Sequence, residues 1–421
     1  MEKQKKLLIL GGNALSSDIV TTAQQMGLYT IVTDWNPIEK SPAKQLADEA
    51  WDVSITDYDE LDKRIKEHNI DGVFTNYTDS YLIPYVRICE RAGLPCLATE
   101  EQINTISNKD QSKALCEKFG ISVSKAYKVD SIDELDTLQE IKYPVILKPV
   151  DQSGQRGIIV CNNLDELKSH YNESKSFSAS GKVLVEEYLS GDYVVMFYTL
   201  QNGVVSLASM ADKPVAPILD PNQVRLPMGY LLPSKYVSLC RETVLPKVQA
   251  FVKGLGLKNG VIGIEAIVKD NIISVFEMQF RLGGMRHHEF VLQENGMNIM
   301  EMLIRFAISG DFTGWDAKQT DNADFKSTYL LLNVLVNTGR IAHIEGIDDL
   351  RNYPNVTKIT QMAYEGDDIK LPSTVQQIFC KVSAKLDRDK NPIEYINEIY
   401  SIPKVTNDLG EEMIVNYWPE I

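Results

Sequence analysis

The stretch VFEMQFRLGGMRHHEF, residues 275–290, sets a carboxylate, an amide and a guanidinium two residues apart. Side chains alternate along extended backbone, so Glu277, Gln279 and Arg281 share one strand face. Phe276, Met278 and Phe280 take the other. Gly283 and Gly284 then turn the chain ahead of His287 and His288. Glu265 lies on the partner arm of a hairpin that turns at KDN, residues 269–271. Two carboxylates on adjacent arms repel unless a cation lies between them. Hard oxygen donors of this kind suit Mg²⁺, which takes one or two protein carboxylates together with phosphate oxygens; Mn²⁺ suits the same donors.

Two further stretches carry polar groups at strand ends. In YPVILKPVDQSGQRGI, Lys148 closes an apolar strand and enters a loop holding Ser153, Gly154 and Gly157. Backbone amides of such a loop can cradle phosphates, with a lysine at its foot. The GxxxxGK[ST] loop is absent. In VLVEEYLSGDY, the strand end Glu186, Glu187, Tyr188 and Leu189 can present backbone groups to a flat heterocycle.

These residues need elements to hold them. In the first hundred residues, strands at 6–10, 29–34, 50–54, 71–76 and 95–98 alternate with helices at about 14–26, 58–67 and 80–92. That spacing predicts a doubly wound parallel sheet. Its binding edge falls at the strand carboxyl ends, at Gly11, Gly12, Asp34, Asn76, Tyr77 and Asp79. A helix is expected at 109–119 and a solvated one at 130–140, followed by strand, loop and strand over 143–161. The polar segment 170–182 reads as a mobile loop. A strand at 183–189 and a hairpin at 192–211 turning at QNG precede a proline-rich loop, 212–234, which carries Lys213 and Arg225. A helix at 235–255, the hairpin 259–281 and helix to about 309 follow. The last hundred residues read as a small β-rich unit.

The 421 residues include 58 acidic against 43 basic side chains, a formal charge of −15. That balance repels nucleic-acid backbones and anionic lipid as main partners. Six cysteines without CxxC spacing read as free thiols of a reducing compartment. No signal-peptide core or membrane-spanning run is evident, so a cytoplasmic protein is expected.

In this order and at these separations the motifs resemble the ATP-grasp superfamily in its carboxylate–amine ligase form. The C-terminal hundred residues are similar to those of phosphoribosylamine–glycine ligase and the bacterial L-amino-acid ligases. The resemblance implies an α/β and α+β multidomain chain. It has an N-terminal Rossmann-like domain (1–105), an ATP-grasp domain (106–320) with a lid-like part at about 122–195 and a larger part at 196–320, and a β-rich C-terminal domain (321–421). It implies that Lys109 and Lys148, with the loop bearing Ser153, Gly154 and Gly157, hold the phosphates of ATP. Glu187, Tyr188 and Leu189 read adenine through the backbone, with Glu186 near its amino group. Glu265, Glu277 and Gln279 would hold Mg²⁺. Arg281 and Gly284 would face an acyl phosphate formed from a small-molecule carboxylate, which an amine then displaces. His287 is a candidate proton acceptor; solvated helix-start positions are the plainer expectation for it and His288. Lys213 and Arg225 are candidate anion clamps. A homodimer is common among similar enzymes.

The family has asparagine where this chain has Gln279, and its ribose-binding glutamate falls near Tyr193, which passes that contact to Asp192. Three other readings stand beside the ligase. A nicotinamide dehydrogenase is suggested by LLILGGNALSSDIV and Asp34, although the third glycine of GxGxxG is missing. A carboxylase that activates bicarbonate uses the same fold. A catalytically silent nucleotide binder is suggested by Gln279 and Tyr193.

Overall fold

The computed structural model describes residues 3–138, 141–151, 157–216, 226–370 and 374–418. Four short strands open the chain and form a parallel sheet in the order Glu49–Trp51, Tyr29–Thr33, Lys6–Leu10 and Gly72–Phe74. Leu7, Leu8, Ile9 and Leu10 are all fully buried, the continuous apolar run of a strand covered on both faces. Leu8 and Leu10 enter one core with Leu61 and Val86, whereas Leu7 and Ile9 enter another with Ile19, Met300 and Leu303. Helices of this unit therefore cover one face. The other is shared with the helix Ile299–Ser309, which reaches in from the centre of the molecule. Segment 95–98 is not the fifth strand that was expected. Pro95 has no amide hydrogen to give a ladder, and the Leu97 N–H donates to the Tyr85 hydroxyl at 3.2 Å. A helix the pattern did not show, Glu100–Ser107, follows from a capping box between Thr99 and Gln102.

Beyond the helix Lys109–Lys118, a four-stranded antiparallel sheet runs Ala126–Val129, Val183–Glu187, Val145–Pro149 and Ile159–Cys161. The expected helix at 130–140 is a 3₁₀ turn, Ile132–Thr137, with residues 139–140 outside the described set. The polar segment expected as a loop from residue 170 is helical as far as Ser176. The helix Leu164–Ser176 buries Leu167, Tyr171 and Ser174 along one face, and Asn163 caps it. A buried stripe one side chain wide holds a helix that composition alone reads as coil.

Among the described residues the largest sheet has nine strands. Its path is Ile272–Gln279, Gly260–Lys269, Asp192–Gln201, Val204–Asp212, Gly229–Leu232, Ser327–Val336, Ile378–Asp387 and Val356–Gln361, with Ile414–Val415 paired to Ser327–Val336. The two predicted hairpins, at 192–211 and 259–281, are adjacent here. The strand Ser327–Val336 pairs directly with Gly229–Leu232, so strand pairing runs without a break across residue 320. The expected helix 235–255 is two helices, Val237–Thr243 and Leu245–Leu255, parted ahead of Pro246. The helix expected to reach residue 309 is likewise two, parted at Gly296 in the left-handed region. No helix among the described residues is long and apolar enough to cross a membrane.

Candidate active site

The hairpin Gly260–Lys269/Ile272–Gln279 sets Glu265 directly opposite Glu277. The next pair is Ala266 with Val275, so Phe276 has no partner and the strand bulges there. A bulge re-aims a side chain. Phe276 was expected on the core face with Met278 and Phe280. It instead lines the cleft beside Glu277, while Met278 and Phe280 are 7% and 6% exposed.

Glu265, Glu277, Lys109, Lys148, Glu186, Glu187 and Leu189 border one cavity of about 120 Å³, with Ile146, Ile158, Val215, Ile267 and Phe276 as apolar wall. Burial pushes the Glu277 carboxyl up from its ordinary value, and the charge of Glu265 adds to it. The Gln279 amide nitrogen donates to Glu277 Oε1 at 3.1 Å. Burial, then the neighbouring Lys148 charge, holds Lys109 below the usual lysine range.

Glu186 is the hub of the opposite wall, not an open acceptor beside the cavity. Its Oε2 lies 2.8 Å from Lys148 Nζ and its Oε1 2.7 Å from Lys113 Nζ. Ser124 Oγ donates to Oε2 at 3.0 Å and accepts from Lys113 at 2.9 Å. Burial alone raises Glu186, but Lys148 and then Lys113 outweigh it and hold the carboxyl below its ordinary range. Lys113 and Ser124 were not singled out from the sequence. The signal for Lys113 was its place four residues after Lys109, one helical turn on.

The amides of Glu187 and Tyr188 donate to the carbonyls of Lys125 and Pro144 at 2.9 and 3.3 Å. The next residue, Leu189, borders the cavity. Asp192 does not border it. Its carboxylate accepts from Tyr236 Oη at 2.5 Å and pairs with Lys235 at 2.8 Å. Tyr193, on the opposite face of the same strand, borders the cavity in its place. Ser153, Gly154 and Arg225 lie outside the described residues. Gly157 is described, and its carbonyl accepts from Ser174 at 2.7 Å.

A second cavity of about 360 Å³ adjoins the first through Lys109, Glu186, Phe276 and Glu277. Asp79, Ser80, Asp151 and Gln279 border it over a floor that includes Ile83, Ile106 and Met278. Arg281 donates to both Asp79 carboxylate oxygens at 2.7 Å. Asn76 Oδ1 accepts from the Leu282 amide at 2.8 Å, and Tyr77 is buried. Of the expected parallel-sheet edge, Asp79 alone borders this second cavity. Gly11 donates to Thr33 and Gly12 to Asp34, each at 2.9 Å. A Cβ on Gly11 would lie 2.1 Å from the Tyr81 ring. The amides a pyrophosphate would need at this turn are taken up inside the protein.

His287 and His288 are neither solvated nor at either cavity. They are 2% and 7% exposed. The His287 ring packs on Phe197 with centroids 3.6 Å apart. His288 Nε2 is 3.3 Å from the Tyr77 hydroxyl. Burial drives both imidazoles below their ordinary value, His288 to about 3. Gly284 stands beside Leu15 of the N-terminal unit. Lys213, expected on a loop, is buried and pairs with Glu265.

The donor set of the hairpin fits Mg²⁺ on its chemistry. Two carboxylates face each other across the hairpin, Glu277 is raised by burial and then by the Glu265 charge, and the Gln279 amide stands beside it. Among the described residues no three His, Cys, Asp or Glu side chains converge on a metal position. Phosphate oxygens would therefore complete the shell.

Residues 141–289 match a family model described as the ATP-grasp domain. The formate-dependent phosphoribosylglycinamide formyltransferase of Wolinella succinogenes is 26% identical over 66% of this chain and 70% of its own length. That of Prochlorococcus marinus subsp. pastoris is 30% identical over 47% of this chain and 51% of its own length, so the match spans about half of that relative. Among solved structures, an L-amino acid ligase from Bacillus licheniformis superposes with TM-score 0.79 over 97% of this chain and 100% of its own, at 17% identity. A phosphoribosylglycinamide synthetase from Anaerococcus prevotii does so with TM-score 0.73 over 96% and 100%, at 22% identity.

Proposed function

We propose that this chain, whose residues 141–289 match the ATP-grasp domain, is an ATP-dependent carboxylate–amine ligase. A carboxylate attacks the γ-phosphoryl group of ATP, giving an acyl phosphate and ADP; an amine then displaces phosphate and an amide remains. The observation that carries this reading is one cavity with lysines on one wall, paired acids on the other and an apolar end at Leu189, opening toward the Asp79–Arg281 pair. Of the relatives, one group is named for formate, which is a carboxylate, and a structural neighbour for ligating amino acids.

Each residue has a task that its geometry supports. Ile146, Ile158, Val215, Ile267 and Phe276 enclose the base, and the Leu189 backbone lies at its edge. Lys148 and Lys109 neutralise phosphate charge, and Glu186 keeps Lys148 aimed by pairing with it at 2.8 Å. Glu265, Glu277 and Gln279 are the residues that would hold Mg²⁺, which when bound offsets charge on the triphosphate. Arg281 borders neither cavity itself, but Asp79, which borders the second, holds its guanidinium there, and we assign it as the cation set where the carboxylate meets the phosphoryl group. Catalysis by such a site is positioning and charge stabilisation, with no protein nucleophile.

A phosphate-release screen against pairs of acids and amines, with product masses measured, tests the reading. The expected result is one ADP per product and a mass equal to acid plus amine less water. Turnover that needs bicarbonate and no amine would make the protein a carboxylase. Tight Mg·ATP binding without turnover on any pair would make it a silent nucleotide binder.

A further inference from the structure

The ligase reading treats Glu265 and Glu277 as one metal-holding pair, yet their surroundings differ. Lys213 leaves the strand Val204–Asp212, and its backbone N–H donates to the Tyr193 carbonyl at 2.8 Å. Its side chain enters the cavity bordered by Lys109, Lys148, Glu265 and Glu277. Nζ stops 2.5 Å from Glu265 Oε2, and the residue is 9% exposed. The ring of Tyr230 lies 6.0 Å from the ammonium. Glu265 thus has a cation in contact. Among the described residues Glu277 has no ion pair and accepts a hydrogen bond from the Gln279 amide nitrogen at 3.1 Å.

We propose that Lys213 stands in for a second divalent cation, so that the chain holds one metal ion per nucleotide, at Glu277, while the Lys213 ammonium supplies the other positive charge toward the triphosphate. The inference rests on the ligase reading and specifies how its site is charged. A dication on Glu265 would have to share a carboxylate with the Lys213 ammonium already in contact with it, and like charges at contact distance repel strongly in a dry site. A lysine is a compact point charge on a flexible stem, so it can follow the phosphates without leaving Glu265 unneutralised. Gln279 belongs to the same pattern. Its amide nitrogen, turned to Glu277, leaves one carbonyl oxygen to complete a single shell.

Counting bound Mn²⁺ on the intact protein tests this without turnover. Electron paramagnetic resonance of free Mn²⁺ is followed as protein is titrated at saturating adenylyl imidodiphosphate. One Mn²⁺ per chain is expected, and two in Lys213→Met. Lys213→Arg, which keeps the charge, is expected to hold the count at one. Two ions bound to the unaltered protein would overturn the proposal, as would a count of one in a folded Lys213→Met. If neither the analogue nor Mn²⁺ binds the unaltered protein, the ligase reading itself fails, an outcome distinct from a miscount of ions.

Discussion

Arg281 grips both carboxylate oxygens of Asp79, 202 positions earlier in the chain, at 2.7 Å each. Two parallel N–H···O bonds fix a guanidinium in plane and direction as well as in place. The contact joins the parallel-sheet unit to the strand that carries Glu277 and Gln279, so the Arg281 guanidinium is aimed by a part of the molecule outside the matched ATP-grasp segment. Arg281→Lys keeps the charge and loses the fork. We expect kcat to fall about 10²-fold, with the Kd of an ATP analogue changed less than about threefold. Steady-state kinetics beside calorimetric titration checks both. An equal loss in kcat and analogue affinity would place Arg281 at the nucleotide.

Glu277 faces Glu265 across the hairpin and sits above its ordinary pKa, through burial first and then the Glu265 charge. An acid raised in the folded state contributes stability that is complete below its unfolded value, near 4.5, and lost as pH rises through the raised value. Glu277→Gln removes that loss. Turnover is expected to drop below detection, while Tm at pH 8 rises by about 2 °C and Tm at pH 4 is unchanged. Thermal melts at the two pH values, together with phosphate release, test it. Normal turnover would remove the metal assignment.

Lys113 and Lys148 share the buried carboxylate of Glu186. Breaking a buried pair costs about 3–5 kcal/mol because a charge is stranded, whereas replacing the whole set with apolar side chains is often neutral. Glu186→Met strands both buried ammonium groups and is expected to cost about 3 kcal/mol in urea unfolding and to weaken nucleotide binding as Lys148 loses the partner that aims it. Adding Lys113→Met to Glu186→Met removes one of the two stranded charges and should recover part of the stability and none of the binding. A double variant as unstable as the single one would show that the two side chains do not act on each other.

His287 and His288 are buried neutral, with the pKa of each below 6.5. A histidine lowered in the folded state contributes stability present above its unfolded value and lost as pH falls through the folded one. The protein should therefore weaken as pH drops from about 6.5 toward 3. His287→Leu should flatten part of that slope in urea titrations at stepped pH. The same variant is expected to keep kcat within about threefold of the unaltered enzyme, because His287 borders neither cavity. A loss of about 10²-fold, the lower range for a general base, would return it to the chemistry.

Residues on a single strand or turn were the legible part of this site. Lys148, Glu265, Glu277 and Arg281 follow from strand period and spacing, and the strands that carry them lie where alternation puts them. What was not legible depends on packing between distant segments. Lys113 finds its meaning in Glu186, 73 positions away. Phe276 turns into the cleft because its partner strand is one residue short there, which period-2 alternation cannot register. Asp192 and Tyr193 are adjacent and point opposite ways; the sequence names both and cannot say which faces the cavity. The two histidines look solvated until Phe197 closes over one and Tyr77 meets the other. The glycine turn after the first strand looks open until Asp34 and Tyr81 fill it.

Leu231 and Leu330 are cross-strand partners, so the final hundred residues continue the central sheet instead of hanging from it. Cutting the gene at codon 320 would bare a row of unsatisfied amides and carbonyls along Gly229–Leu232, and raw rims of that kind recruit other polypeptides into clumps. Anyone shortening this protein for crystallisation should expect an insoluble product, and should place a tag at a terminus in preference to an internal truncation.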